Sequence, residues 1–141
     1  MNNYTKFPNK NIAIILKYLF HISNILLIVF YLYPGSIFGC FIYKDCGIQP
    51  QLTGDFVGNS ISSNHFYIFS VISLLGFIVY SKKKTFLIIT TYLFLIAVFL
   101  ELAHIIIPER GYQVEDLAGN ILGVVISLII FFILKLGKKN E

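Results

Sequence analysis

The chain has 141 residues, of which 57% are hydrophobic and 13% charged, and its formal net charge is +4. With a mean hydropathy of +0.79, this composition excludes a water-soluble globular domain, because so much apolar surface would aggregate in water. The basic excess does not indicate nucleic-acid binding, since the lysines flank apolar segments and form no basic helix or groove.

Four apolar segments, residues 12–33, 61–80, 85–107 and 117–134, predict membrane-spanning helices. A hydrocarbon core of about 30 Å needs about 20 apolar helical residues. The first segment is too long for a signal-peptide core and precedes no small-residue cleavage site, so we interpret it as a retained anchor. The predicted fold class is all-α, with residues 1–141 forming a single domain, a four-helix transmembrane bundle.

The lysines predict the orientation of these segments. Short cytoplasmic loops retain positive charge, and basic residues fall in three clusters on one side of the predicted bundle. We therefore predict that both termini are cytoplasmic and that loops 35–64 and 108–116 lie outside. The clusters are Lys6, Lys10 and Lys17, then Lys82, Lys83 and Lys84, and finally Lys135, Lys138 and Lys139.

The first outer loop, residues 35–64, is long, rich in glycine and partly apolar. A structureless loop of that length is unusual unless it is functional or mobile, so we expect it to fold back as a cap or re-entrant turn. It contains Cys40 and Cys46, whose spacing allows a disulfide outside the cytoplasm without requiring one. The alternative is two free thiols packed against Phe38 and Phe41.

Polar side chains occur in the third and fourth segments, where lipid is expected. Glu101 and His104 are three residues apart and share a helical face, and Asp116 and Asn120 are four apart on the next helix. Ionisable groups inside a membrane are costly and usually mark functional sites. We expect these two faces to meet near the outer surface.

Arg110 lies in the short turn between these two segments and is predicted to bend back over their junction. It would pair with Glu101 or Asp116, or offer a bidentate fork to an anionic ligand. An ion pair that only fixes the hairpin is the structural alternative. The predicted ligand-binding set, which also includes a histidine at the outer start of the second segment, is His65, Glu101, His104, Arg110, Asp116 and Asn120.

Small residues at Gly119, Gly123 and Ser127 form a ridge on the fourth segment. Small side chains at this spacing allow helices to approach closely. The ridge predicts helix packing, either within the bundle or between protomers of a homo- or hetero-oligomer.

The remaining intramembrane polar groups predict supporting roles. His21 and Asn24 are expected to hydrogen-bond to neighbouring helices, with a proton relay as the alternative. Several tyrosines lie near predicted interfaces, where such rings act as anchors. These are Tyr31, Tyr33, Tyr67, Tyr80, Tyr92 and Tyr112.

The order of the polar residues resembles that of VanZ-like membrane proteins. The similarity lies in Glu101, the turn Pro108-Glu109-Arg110 and the run from Asp116 through Asn120 to Gly123, and His65-Phe66 is similar to the family's His-Phe. This chain has His104 where the family usually has Gln, and it has Ile61-Ser62 where the family often has Asp-Lys. The resemblance implies a small four-helix protein of the bacterial cytoplasmic membrane, associated through its namesake with teicoplanin resistance.

The leading functional hypothesis is a cell-envelope protein that binds an anionic amphiphile, either a lipid-linked cell-wall precursor or a glycopeptide. An intramembrane hydrolase or transferase is the second hypothesis, with Glu101 or Asp116 as general base and His104 or His65 as its partner. The third is an accessory subunit that docks through the small-residue ridge.

A metal site is a further alternative, because Glu101-x-x-His104 together with His65 and Asp116 supplies suitable ligands. Arg110 beside these residues would repel a cation. We therefore predict no metal and no other cofactor.

Overall fold

The computed structural model describes residues 10–137, and within that range the chain is helical apart from turns, loops and an isolated β-bridge between Phe56 and Ile61. The all-α class is therefore confirmed for this part of the chain. Lys6, Lys138 and Lys139, which contribute to the predicted orientation, lie outside the described residues. The helices are α1 (Lys10–Leu32), α2 (Ile37–Tyr43), α3 (Ser63–Val79), α4 (Lys83–Ala103) and α5 (Val114–Gly137).

Three of these helices, α1, α4 and α5, are long and apolar enough to cross a membrane. They contain 23, 21 and 24 residues, as expected of a membrane protein. Helix α3 is also apolar but has only 17 residues. At about 1.5 Å per residue it is about 26 Å long, slightly less than the hydrocarbon core.

The predicted segment 85–107 extends too far, because α4 ends at Ala103. Beyond Leu102 the backbone tightens, and the N–H groups of His104 and Ile105 bond to carbonyls three residues back. The apolar run 105–107 therefore belongs to a turn. Helix α5 starts earlier than the predicted segment 117–134, and its first turn contains Glu115 and Asp116, since acidic side chains favour a helix N-terminus.

The predicted outer loop, between α1 and α3, contains short elements that the sequence pattern did not predict. Helix α2 is capped by Ser36, whose side chain accepts a hydrogen bond from the N–H of Gly39, and Cys40 forms a disulfide with Cys46. Further along, Asp55 accepts a hydrogen bond from the N–H of Ser63 at the start of α3. The loop is thus held to the helices by specific contacts.

The four long helices share one hydrophobic core, to which Phe20 of α1, Phe69 of α3, Leu93 of α4 and Val124 of α5 contribute fully buried side chains. Helix α3 contacts α1, α4 and α5. It lies closest to α5, because Gly119 and Gly123 face its backbone.

Contacts at both ends show how the helices run. The hydroxyl of Tyr31 near the end of α1 lies 2.9 Å from Nδ1 of His65 at the start of α3. At the other end of α3, Nε2 of His21 in the middle of α1 lies 2.7 Å from the hydroxyl of Tyr80. Helices α1 and α3 are therefore antiparallel. We call the end that contains Tyr31 and His65 the polar end.

The small-residue ridge packs inside the chain, against α3. A Cβ atom on Gly119 would lie 2.6 Å from the carbonyl oxygen of Ser62, and one on Gly123 would lie 2.7 Å from that of Phe66. The hydroxyl of Ser127 donates a hydrogen bond to the carbonyl of Ser70. The ridge is thus covered by α3 and does not present a free docking face.

We expect Gly123→Ala to lower the thermal stability of the protein in detergent micelles. Alanine is favoured over glycine inside a helix by about 1 kcal/mol, but here the added methyl group meets backbone, and overpacking costs about 1–3 kcal/mol. Gly137→Ala is the matched control, because a Cβ atom there meets nothing within 4 Å. An unchanged or raised melting temperature for Gly123→Ala would contradict this packing.

Candidate functional site

Five of the six predicted ligand-binding side chains come together, buried, at the polar end. Their exposed fractions are 0% for Glu101 and Asn120, 2% for His104, and 8% for His65 and Asp116. They come from the start of α3, the end of α4, the residue that follows α4, and the first two turns of α5. Antiparallel packing therefore brings together groups that lie far apart in the sequence.

Tyr31 of α1 joins the members of this cluster to one another. Its position near the end of an apolar segment predicted only an interfacial anchor. Its hydroxyl donates to Oδ1 of Asn120 at 2.8 Å and lies 2.9 Å from Nδ1 of His65. Its ring also stacks on that of His104, with 5.6 Å between centroids. The available sequence signal was that Asn24 and Tyr31 lie seven residues apart, on one helical face.

The hydrogen-bond directions fix the tautomer of His65. The side-chain nitrogen of Asn120 donates to the carbonyl of Ala97 at 3.2 Å, so its oxygen points toward Tyr31 and His65. Since the single hydroxyl hydrogen of Tyr31 goes to Asn120, Nδ1 of His65 must carry the hydrogen that it shares with these oxygens. Nε2, which has a lone pair whenever the ring is neutral, lies 3.5 Å from Oδ2 of Asp116.

Glu101 has one satisfied and one unsatisfied carboxylate oxygen. Oε1 accepts a hydrogen bond from the backbone N–H of Gln113 at 3.1 Å and lies 3.3 Å from Nδ1 of His104. Oε2 is buried without a hydrogen-bond partner among the described residues, 3.8 Å from Nδ1 of His65. Such a group is costly to bury, and natural proteins usually supply it with a partner.

His104 is held by the backbone of α1. Its Nε2 lies 3.1 Å from the carbonyl oxygen of Tyr31, which can only accept, so Nε2 carries a hydrogen. One proton must then also lie between Nδ1 of His104 and Oε1 of Glu101, because two lone pairs would otherwise face each other. This pair is therefore a proton-sharing unit.

Arg110 is oriented by α1 and not by the carboxylates of the cluster. It donates from Nη2 to the carbonyl of Phe30 at 3.0 Å and from Nε to that of Tyr33 at 3.3 Å. Within residues 10–137 it forms no ion pair with Glu101 or Asp116, so of the two predicted alternatives the pairing with a carboxylate is absent there. Burial lowers the pKa of the guanidinium, which nevertheless stays charged at neutral pH.

A cavity of about 520 Å³ opens beside the cluster, between α1, the loop that joins α1 to α3, and α3. Three members of the predicted set line the cavity, namely His65, His104 and Arg110. The other three do not line it and lie behind these side chains, namely Glu101, Asp116 and Asn120. The rest of its wall is mostly apolar. That wall includes Leu26, Leu27, Phe30, Ile68, Val71 and Ile72.

The cluster also contains three groups of the kind that bind metal ions. One ligand atom each from His65, Glu101 and Asp116 lies within 4.8 Å of the other two. The arrangement therefore offers a cationic group for anions, a buried proton-sharing pair and a set of nitrogen and carboxylate ligands.

Fold and site together define an all-helical membrane protein with a buried polar cluster at one end of its helices. Comparison with family models, curated proteins and solved structures gives no match. The function is therefore inferred from the chemistry of the cluster and of the cavity beside it.

We expect Tyr31→Phe to destabilise the protein by about 0.5–1.5 kcal/mol, because it removes the hydroxyl that bonds to Asn120 and His65 and leaves these two groups only their mutual contact at 3.2 Å. Unfolding in detergent, followed by circular dichroism, measures the loss. Tyr18→Phe is the control, since Tyr18 is 67% exposed. Equal stability of the two variants would show that the Tyr31 hydroxyl does not support the cluster.

Proposed function

We propose that the chain is a VanZ-like protein of the bacterial cytoplasmic membrane that binds an anionic amphiphile through its polar end. The observation that carries the proposal is one cavity that combines apolar walls with the guanidinium of Arg110. An amphiphile has the same division into an apolar tail and a charged head. The cavity volume also lies within the range usual for small-molecule sites.

The proposed topology has four spans, with both termini in the cytoplasm and the polar end facing out. Helix α3 acts as the remaining span, since modest thinning of the bilayer accommodates a short helix. The lysines at 82–84 follow α3 and lie at the end opposite His65. Positive charge is retained on the cytoplasmic side, which supports this orientation.

Arg110 is the proposed contact for the anionic head. A guanidinium has five N–H donors, and the carbonyls of Phe30 and Tyr33 occupy two of them. The others remain for a phosphate or carboxylate, which arginine binds in bidentate geometry. Because α1 and not a carboxylate holds the side chain, its charge is available to a ligand.

The walls formed by α1 and α3 are the proposed contact for the apolar part of the ligand. Leu26, Ile68 and Val71 line this part of the cavity. A lipid-linked cell-wall precursor offers a polyprenyl chain and a phosphate, and a lipid-tailed glycopeptide offers an acyl chain and a carboxylate. Binding of the glycopeptide is the route by which the protein would affect teicoplanin susceptibility.

An intramembrane hydrolase or transferase is the second candidate. It is favoured by the approach of Nε2 of His65 to Asp116 at 3.5 Å, which is a suitable pair for general acid–base chemistry. His65 also lines the cavity, so the pair would act next to a bound head group.

Arg110→Ala should weaken the binding of polyprenyl phosphate at least about tenfold, since a charge-assisted contact contributes about 1.5–3 kcal/mol. Binding to the purified protein, treated with EDTA, is measured by microscale thermophoresis. The neutral polyprenol should bind the variant and the wild type equally. Lys82→Ala, at the opposite end of α3, is the charge control and should bind like the wild type.

A second arm of the experiment tests the apolar wall. Val71→Trp fills the cavity and should weaken the binding of both polyprenyl phosphate and polyprenol. Val29→Trp, on an exposed part of α1 that does not line the cavity, should weaken the binding of neither. Equal phosphate binding by Arg110→Ala and the wild type would remove the proposed anion contact. Release of a product from the bound lipid, dependent on Asp116 and His65, would favour the enzyme.

A further inference from the structure

The unpaired oxygen of Glu101 marks a place where a hydrogen-bond donor or a bound cation is missing. The side chain is fully buried, and its Oε2 has no hydrogen-bond donor within the described part of the chain. Asp116, from a different helix, contributes a second carboxylate to the same cluster. Buried carboxylates are normally paired with a cation or coordinate a metal.

His65 supplies a nitrogen ligand in the correct tautomer. Its Nδ1–H is shared with Tyr31 and Asn120, so Nε2 is the ring nitrogen that can coordinate, in the neutral form of the ring. Histidines that bind metals commonly donate the other ring N–H to a neighbouring oxygen in this way. Tyr31 and Asn120 thus hold the ring in the orientation that a metal ligand requires.

The spacing of these atoms fits a metal better than direct hydrogen bonds. Nε2 of His65 and Oδ2 of Asp116 are 3.5 Å apart, which is long for a hydrogen bond. Two ligands that each lie about 2.1 Å from a tetrahedral zinc ion are about 3.4 Å from each other. Oε2 of Glu101 lies 3.8 Å from Nδ1 of the His65 ring, and one ligand atom from each of the three residues lies within 4.8 Å of the other two, so a modest contraction would complete the set.

Arg110 was the reason to expect no metal at this place. The structure directs its guanidinium to the carbonyls of Phe30 and Tyr33 and not to either carboxylate. Glu101 and His104 share one proton and are neutral as a pair, so with a neutral His65 ring the charges of Asp116 and Arg110 sum to zero. A divalent cation would make that sum positive, which also favours a nearby anion.

We propose that His65, Glu101 and Asp116 bind a divalent transition metal of the zinc class. Nitrogen and carboxylate oxygen are ligands that zinc takes in proteins, and three protein ligands leave a coordination position for water or an anionic oxygen. The site goes beyond the proposed amphiphile binding and does not require that ligand.

The test uses the full chain purified in detergent, stripped with EDTA and dialysed against Zn²⁺ or Co²⁺. We expect elemental analysis to find about one ion per chain, as for a three-ligand zinc site. We also expect Co²⁺ to give intense visible absorption that the aqueous ion lacks. The spectrum needs only the wild-type protein, so it decides the question even where a variant does not fold.

Isosteric variants locate the ion. Glu101→Gln and Asp116→Asn should each weaken the binding of Zn²⁺ at least about tenfold. Tyr31→Phe should weaken it by about tenfold, because the His65 ring loses a group that orients it. His21→Ala, which removes a histidine at the opposite end, should bind like the wild type, and size-exclusion elution checks that each variant is folded. An aqueous Co²⁺ spectrum for the wild type, or unchanged binding by folded Glu101→Gln and Asp116→Asn, would overturn the site. Polyprenyl phosphate binding is measured in EDTA, without metal, and Zn²⁺ binding is measured without the lipid. Failure of one proposal is therefore distinguishable from failure of the other.

Discussion

One hydroxyl group, that of Tyr31, joins the parts of this protein that carry its chemistry. It bonds to Asn120 of α5 and approaches His65 of α3, while Asn120 reaches the backbone of α4 through Ala97. Four helices are thus linked by one chain of hydrogen bonds. In lipid an unsatisfied polar group costs several kcal/mol, so these groups constrain one another strongly and leave little freedom in the relative position of the helix ends.

The close contact between α3 and α5 makes this network geometrically feasible. Gly119 lies against the carbonyl of Ser62, and the N–H of Ser62 donates to the carbonyl of Glu115 at 3.0 Å. The start of α3 is therefore fixed against the first turn of α5, where Asp116 lies. Behind His65 the cluster is rich in carboxylate, whereas the cavity in front of it carries Arg110 and apolar walls. The proposed cation and the proposed anionic head group would thus occupy neighbouring sites, one formed by carboxylates and the other by a guanidinium.

Local patterns in the sequence predicted the apolar helices and the convergence of the polar faces of α4 and α5, because both follow from helical periodicity. They did not predict the role of Tyr31, since a tyrosine near a helix end resembles an interfacial anchor. The position of Arg110 depends on carbonyls 77 and 80 residues away, which no local spacing encodes. Helix α2 has seven residues, too few to show a period, and apolarity alone did not distinguish the turn at 105–107 from the helix before it.

The most direct test of the Tyr31 network is ¹⁵N NMR of histidine-labelled, metal-free protein in detergent micelles, with His65 assigned by comparison with His65→Ala. The hydrogen-bond directions predict that Nδ1 of the His65 ring carries a hydrogen, which is shared with Tyr31 and Asn120. In Tyr31→Phe that preference should weaken. A wild-type spectrum with the hydrogen on Nε2 would contradict the network, because Nδ1 would then present a lone pair to the side-chain oxygen of Asn120.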